Sequence, residues 1–191
     1  VPENLSARLV DDQLPAIRVD RVDHLRRPVA VHVGQALIAE LASAGHVVAG
    51  SAADIGPVLT AVAVRTGDPA PPVGDAGALR NALRAADGIY FPDPRLATAG
   101  IHFAKVIEAL GLTEKLKNRL RVFPNGTTAM RELAAVKGGH PIGCTQITEI
   151  LATSGATLVG LLPKEFELAT IYTIGICTKA RESALAQKFA E

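Results

Sequence analysis

From residue 87 onward the apolar positions alternate between two periods. "GIYFP" (88–92) is a short apolar strand, and in "TAGIHFAKVIEALGL" (98–112) Ile101, Ala104, Ile107 and Leu110 recur at helical spacing. "RLRVF" (119–123) alternates as a strand does. "NGTTAMRELAAVKGG" (125–139) predicts a turn, a helix from about Thr127 and a glycine stop. "PIGCT" (141–145) predicts a strand, "QITEILAT" (146–153) a short helix and "ATLVGLL" (156–162) the next strand. Upstream, "VAVHVG" (29–34) and "VLTAVAVR" (58–65) are strand-like, and "QALIAELASAGH" (35–46) is a helix ending at Gly45. Strands alternating with helices predict a parallel sheet covered on both faces.

Two stretches break this rhythm. "TGDPAPPVGDAG" (66–77), rich in Pro and Gly, suits a crossing between lobes, and "LPKEFELATIYTIGICTKA" (162–180) ends in a long strand that can return to the first lobe. Two crossings predict an α/β protein of two doubly wound lobes joined by a two-strand hinge. The first lobe is then discontinuous, 1–65 plus 168–191, and the second spans 66–167 with the hinge crossings. Such folds are hinged ligand clamps. In "RVDRVDHLRR" (18–27), Val19, Val22 and Leu25 fit one helix stripe, and the interleaved Asp20 and Asp23 make its arginines a solvated face rather than a phosphate patch.

Composition narrows the function classes. Of 191 residues 48% are hydrophobic, with 4% aromatic and no Trp, so the core is Ala, Val, Leu and Ile packing. Twenty basic against nineteen acidic residues leave +1, which gives no electrostatic case for nucleic acid. No apolar run approaches the roughly 20 residues of a membrane helix. Cys144 and Cys177 sit in apolar runs as buried thiols, and the histidines at 24, 32, 46, 102 and 140 are too scattered for a metal site.

In a doubly wound sheet, ligands bind beyond the carboxyl ends of the strands, at helix N-termini. Three such junctions occur: "DPRLATAG" (93–100), "PNGTT" (124–128) and "CTQIT" (144–148). Each carries hydroxyl or amide side chains and little bulk, and together they can hold an anion on backbone N–H groups without a cation. Thr98, Asn125 and Thr127 or Thr128 are equally suited to be ordinary helix caps. Enzymatic motifs are weak: Glu149 is a candidate base but reads first as a solvated helix position, and His102 and Lys105 read first as surface or lobe-packing residues.

"YFPDPRLATAGIHFAKVIEALGL", "RVFPNGTTAMRELA", "HPIGCTQITEIL" and "LVGLLPKEFELATIYTIGICTKA", with "ELASAGHVVAGSAADIGPVLTAVAVRTG" (40–67) before them, resemble the molybdate-binding proteins of ABC transporters, in the type 2 periplasmic binding protein superfamily. The resemblance covers roughly residues 29–191. It implies two α/β lobes with a small anion, molybdate or tungstate, captured between them, a transporter permease as partner, no cofactor and no catalytic residue, in a monomer. It implies a periplasmic or extracellular site of action, with the cytoplasm as the alternative. Carried over by position, the ligand contacts fall at Thr98 and Ala99, at Asn125, Gly126 or Thr127, and at Gln146. Molybdate binders often offer a Tyr hydroxyl where this chain has Gln146, and the Gln donor and acceptor suit a carboxylate or hydroxy acid. The alternative is therefore an organic-acid binder, or an enzyme similar to aconitate isomerase with His102 or Glu149 as base. The family's opening strand and Ser-rich helix start have no counterpart in residues 1–28, and its last helix is cut short at Glu191. An incomplete first lobe is thus expected, with Gln35 as its contact.

Overall fold

The computed structural model describes residues 30–180 and residue 188. The helix stripe expected over 18–27 and the features expected of both termini lie outside the described residues. In chain order the elements are β1 (Ala30–Gly34), α1 (Gln35–Ser43), β2 (Ala53–Arg65), α2 (Ala76–Ala85) and β3 (Ile89–Pro92). There follow α3 (Thr98–Ala109), α4 (Thr113–Leu116), β4 (Leu120–Phe123), α5 (Gly126–Ala135) and β5 (Ile142–Gln146). Last come α6 (Ile147–Leu151), β6 (Ala156–Leu161), a 3₁₀ turn (Lys164–Phe166) and β7 (Ala169–Ile176). The described chain divides into two compact units. An inserted unit holds residues 59–169, and a flanking unit holds 30–58 with 170–180 and 188.

In the flanking unit the strand order is β1–β7–β2. β1 and β7 are antiparallel, with Val31 opposite Gly175. A Cβ on Gly175 would come within 2.8 Å of Val47 and 3.2 Å of Ile38, so the missing side chain is what lets α1 lie on the strand. Thr173 donates its hydroxyl to Asp54 at 2.6 Å, and Ser51 accepts the Ile176 N–H at 3.0 Å.

The inserted unit has the strand order β6–β2–β5–β3–β4. β3 runs parallel to β4 and β5, while β2 runs antiparallel to both β5 and β6. The fully parallel sheet expected from the alternating pattern is thus interrupted by one strand. The reason is connectivity: β2 enters from the flanking unit and not through a βαβ crossover within the inserted unit, so no βαβ handedness constrains its direction there.

Strand alternation sorts the core into two layers. Val62 and Val64 of β2, Ile142 and Cys144 of β5 and Phe91 of β3 face α2 and α3, where they meet Leu79, Leu83, Phe103, Val106 and Ile107. Ala61 and Ala63 of β2 and Tyr90 of β3 face α5 and α6, where they meet Ala129, Met130, Leu133 and Ile150. Helices thus cover both faces. Cys144 is fully buried, and desolvation pushes its thiol well above the usual range; Cys177 is half-buried.

α2 begins inside the stretch expected to be a crossing. Asp75 caps it by accepting the Ala78 N–H at 2.8 Å, and Leu79, Ala82 and Leu83 are its buried stripe. Two glycines next to the cap mask this helix in the sequence.

Candidate functional site

Because β3, β4 and β5 are parallel, their carboxyl ends at Pro92, Phe123 and Gln146 share one edge of the sheet. Each is followed directly by a helix: α3, α5 and α6. The three expected junctions are therefore brought to one edge, which is something spacing alone does not show. They fall on opposite faces, however. α3 packs on the Val62–Cys144 face, and α5 and α6 pack on the Ala61–Ala63 face.

The start of α5 is occupied by the protein itself. Asn125 accepts the Thr128 N–H at 2.8 Å, an ordinary cap. The Glu149 carboxylate, reaching over from α6, accepts the Thr127 N–H at 3.2 Å and the Thr145 hydroxyl at 2.5 Å. The Gln146 N–H also acts to lower the Glu149 pKa, as the return half of a capping box on α6 would. Gly126 has no side chain because Thr145 Oγ1 and Glu149 Oε2 fill the space a Cβ would take. The expectation that Glu149 is a solvated helix position is corrected. Its carboxylate is largely buried, and desolvation outweighs the hydrogen bonds, so its pKa is raised above 4.5. No neighbouring ionised side chain contributes to that shift. The carboxylate stands where an external anion would sit on the α5 dipole.

The start of α3 is different. Its N-cap is Ala97, which offers no side-chain acceptor, so Thr98 is not the cap. The Asp93 carbonyl takes the N–H groups of Leu96 and Ala97, and the Ala97 carbonyl takes that of Ile101. Between them, the N–H groups of Thr98, Ala99 and Gly100 find no acceptor among the described residues. Thr98 is exposed, and Ala99 and Gly100 are buried. Gly100 is small for a packing reason: a Cβ there would run into the carbonyl oxygens of Pro92 and Asp93. The nearby Asp93 is paired to Arg95, whose hydrogen bond holds its carboxyl below the usual range, so this charge is already compensated.

Gln146 lies at the carboxyl end of β5 and is 6% exposed. It pairs across the ladder with Thr60 of β2, a residue sequence reasoning passed over. Directly paired residues share a face, and Thr60 alternates with Val62 and Val64, so both side chains lie on the α3 side. Thr60 is 2% exposed, and its hydroxyl has no hydrogen-bond partner. Of the other candidates, His102 holds the Phe166 carbonyl through Nε2 at 2.7 Å, Lys105 is exposed, and Gln35 opens α1 in the flanking unit. Among the described residues no cluster of three or more His, Cys, Asp or Glu could hold a metal ion.

Residues 28–191 match the family model of the bacterial extracellular solute-binding proteins. The chain belongs to this family. Among solved family-like structures, the periplasmic molybdate-binding protein of Azotobacter vinelandii superposes with a TM-score of 0.64 at 18% identity, covering 84% of this chain and 69% of that one. The L-phospholactate-bound form of PEB3 superposes with a TM-score of 0.60 at 12% identity, covering 86% and 72%. At these identities the likeness establishes the fold, a type 2 periplasmic solute-binding architecture. A curated relative, the aconitate isomerase of a Pseudomonas species, is 25% identical over 160 residues. That match takes in 83% of this chain but 58% of the isomerase, so the chain spans less than two thirds of that relative's length.

Proposed function

We propose that this solute-binding protein takes a small anion at the start of α3 and delivers it to the permease of an ABC transporter, outside the cytoplasmic membrane. The observation that carries the reading is the row of unfilled N–H groups at Thr98, Ala99 and Gly100, set at the carboxyl edge of the sheet. A helix N-terminus with free donors favours negative charge without a cation. Thr98, Ala99 and Gln146 are the proposed direct contacts. Asn125, Gly126 and Thr127 form the flank on the opposite face, and there the N–H of Thr127 is already given to Glu149. Molybdate or tungstate is the first candidate by likeness to the Azotobacter protein. Gln146, and the aconitate isomerase relative, favour an organic acid.

The relative also motivates a second reading, a proton-shuttling isomerase. Such a reaction needs a free base beside an acidic carbon. Both candidates are committed elsewhere, His102 to a backbone carbonyl and Glu149 to the α5 start, which supports binding over turnover.

A thermal-shift titration tests the proposal, with molybdate, tungstate, sulfate, phosphate, citrate and cis- and trans-aconitate as ligands. A ligand that binds only the folded chain at a hundredfold excess over its Kd adds about 2.7 kcal/mol of stability. Thr98→Pro removes one donor at a position where proline suits the helix, after an already extended Ala97 (φ −98°, ψ 129°). The expected result is a melting shift with at least one anion that shrinks in Thr98→Pro. No shift with any of them, or conversion of trans-aconitate at enzymatic rates, would count against it.

A further inference from the structure

Among the described residues, the Thr60 hydroxyl is a buried side-chain group on this face that the fold leaves without a partner. A buried O–H without an acceptor is unfavourable, and native chains rarely keep one. Valine has the same shape, and neighbouring β2 positions 62 and 64 are valines on the same face. The hydroxyl therefore gives the apo fold nothing that a methyl group would not give. It sits opposite Gln146 at the carboxyl edge, on the side where α3 begins.

We infer that Thr60 is a ligand contact that extends the anion site from the α3 start across β5 to β2, and that the ligand has polar groups at both ends, as a small hydroxy acid or polycarboxylate does. This rests on the anion-binding reading above and narrows it. Gly100 fixes the α3 start against the end of β3, while Thr60 lies on β2, two strands away in the order β2–β5–β3. Strands are spaced about 4.8 Å apart, so the two polar poles are on the order of 10 Å apart along the sheet. A carboxylate at the helix start leaves the far end of such a ligand facing Thr60 and Gln146. There a hydroxyl can donate to a second carboxylate or accept from a ligand O–H. A tetrahedral oxyanion fills the first pole and leaves the second empty.

The test compares wild type, Thr60→Val, Thr60→Ser and Thr98→Pro against citrate, tricarballylate, acetate and molybdate, by calorimetry and thermal shift. Thr60→Val is expected to raise the ligand-free Tm by about 2–4 °C, since it removes an unpaired buried hydroxyl. It is expected to weaken citrate or tricarballylate binding by about tenfold to a hundredfold, as loss of a hydrogen bond to a charged group does. Thr60→Ser retains binding. Acetate binding, where measurable, falls in Thr98→Pro and not in Thr60→Val. Equal citrate affinity in wild type and Thr60→Val, with a loss in Thr98→Pro, overturns the Thr60 contact and leaves the helix-start site standing. Binding of molybdate alone overturns the two-ended ligand. No binding that depends on Thr98 overturns both readings.

Discussion

Glu149 shows how one side chain can close a site that sequence leaves open. At the residue level "CTQITE" looks like a loop entering a helix, with the glutamate free to face solvent. Its actual role depends on α5, twenty-two residues earlier in the chain, and no local pattern reports that. Its pKa is raised, so in the folded state it holds its proton to a higher pH than the unfolded chain does. Between pH 4.5 and that raised value the folded state binds more protons, and stability therefore falls as pH rises through this window and levels off above it. Denaturant titrations should show this slope in wild type and not in Glu149→Gln, with the stability difference moving in favour of Gln as pH rises. Asn125 behaves as its sequence context predicts. Replacing its cap by Ala should cost about 1 kcal/mol, read as a drop of about 2–4 °C in Tm. Thr98 and Thr60 are the reverse cases. Thr98 is placed like a cap and does not cap, and Thr60 is hidden in an apolar strand where one hydroxyl among valines is its whole signal.

At the level of elements, the strands after residue 87 and the helices α3, α5 and α6 were legible because each has a clean period, whereas α4, a single turn, has no period to read. α2 was not, because its stripe starts beside two glycines, and the direction of β2 was not, because direction is a property of connection and not of periodicity. The bare start of α3 has two causes, and they separate by experiment. Gly100 is demanded by contact with the end of β3: Gly100→Ala must push α3 off the Pro92 and Asp93 carbonyls, an overpacking cost of about 1–3 kcal/mol by denaturant unfolding. Thr98 is not demanded by packing, so Thr98→Pro should leave stability nearly unchanged while weakening anion binding. A second element-level clamp is Arg65 at the end of β2. Its guanidinium spans the carbonyls of Val136 at 2.6 Å, Gly138 at 3.1 Å and Gly139 at 3.0 Å and pairs with Asp68, fixing the loop before β5. Lysine cannot reproduce that fork, so Arg65→Lys should lose about 1–3 kcal/mol and speed amide exchange over residues 136–139.

For the whole molecule, the chain belongs to the extracellular solute-binding family, and the proposed anion site lies at the carboxyl edge of the inserted unit's sheet. Of the three helix starts on that edge, those of α5 and α3 make opposite claims on an anion. α5 is satisfied by Glu149 and Asn125, and α3 is satisfied by nothing among the described residues. Resolved backbone amide NMR tests that asymmetry directly, with ¹⁵N-labelled protein titrated with citrate and, separately, molybdate. The account predicts saturable shifts of the Thr98, Ala99 and Gly100 amides, with those of Thr127 and Thr128 moving little. Saturable shifts centred on Thr127 and Thr128, with Thr98 to Gly100 unmoved, would contradict it.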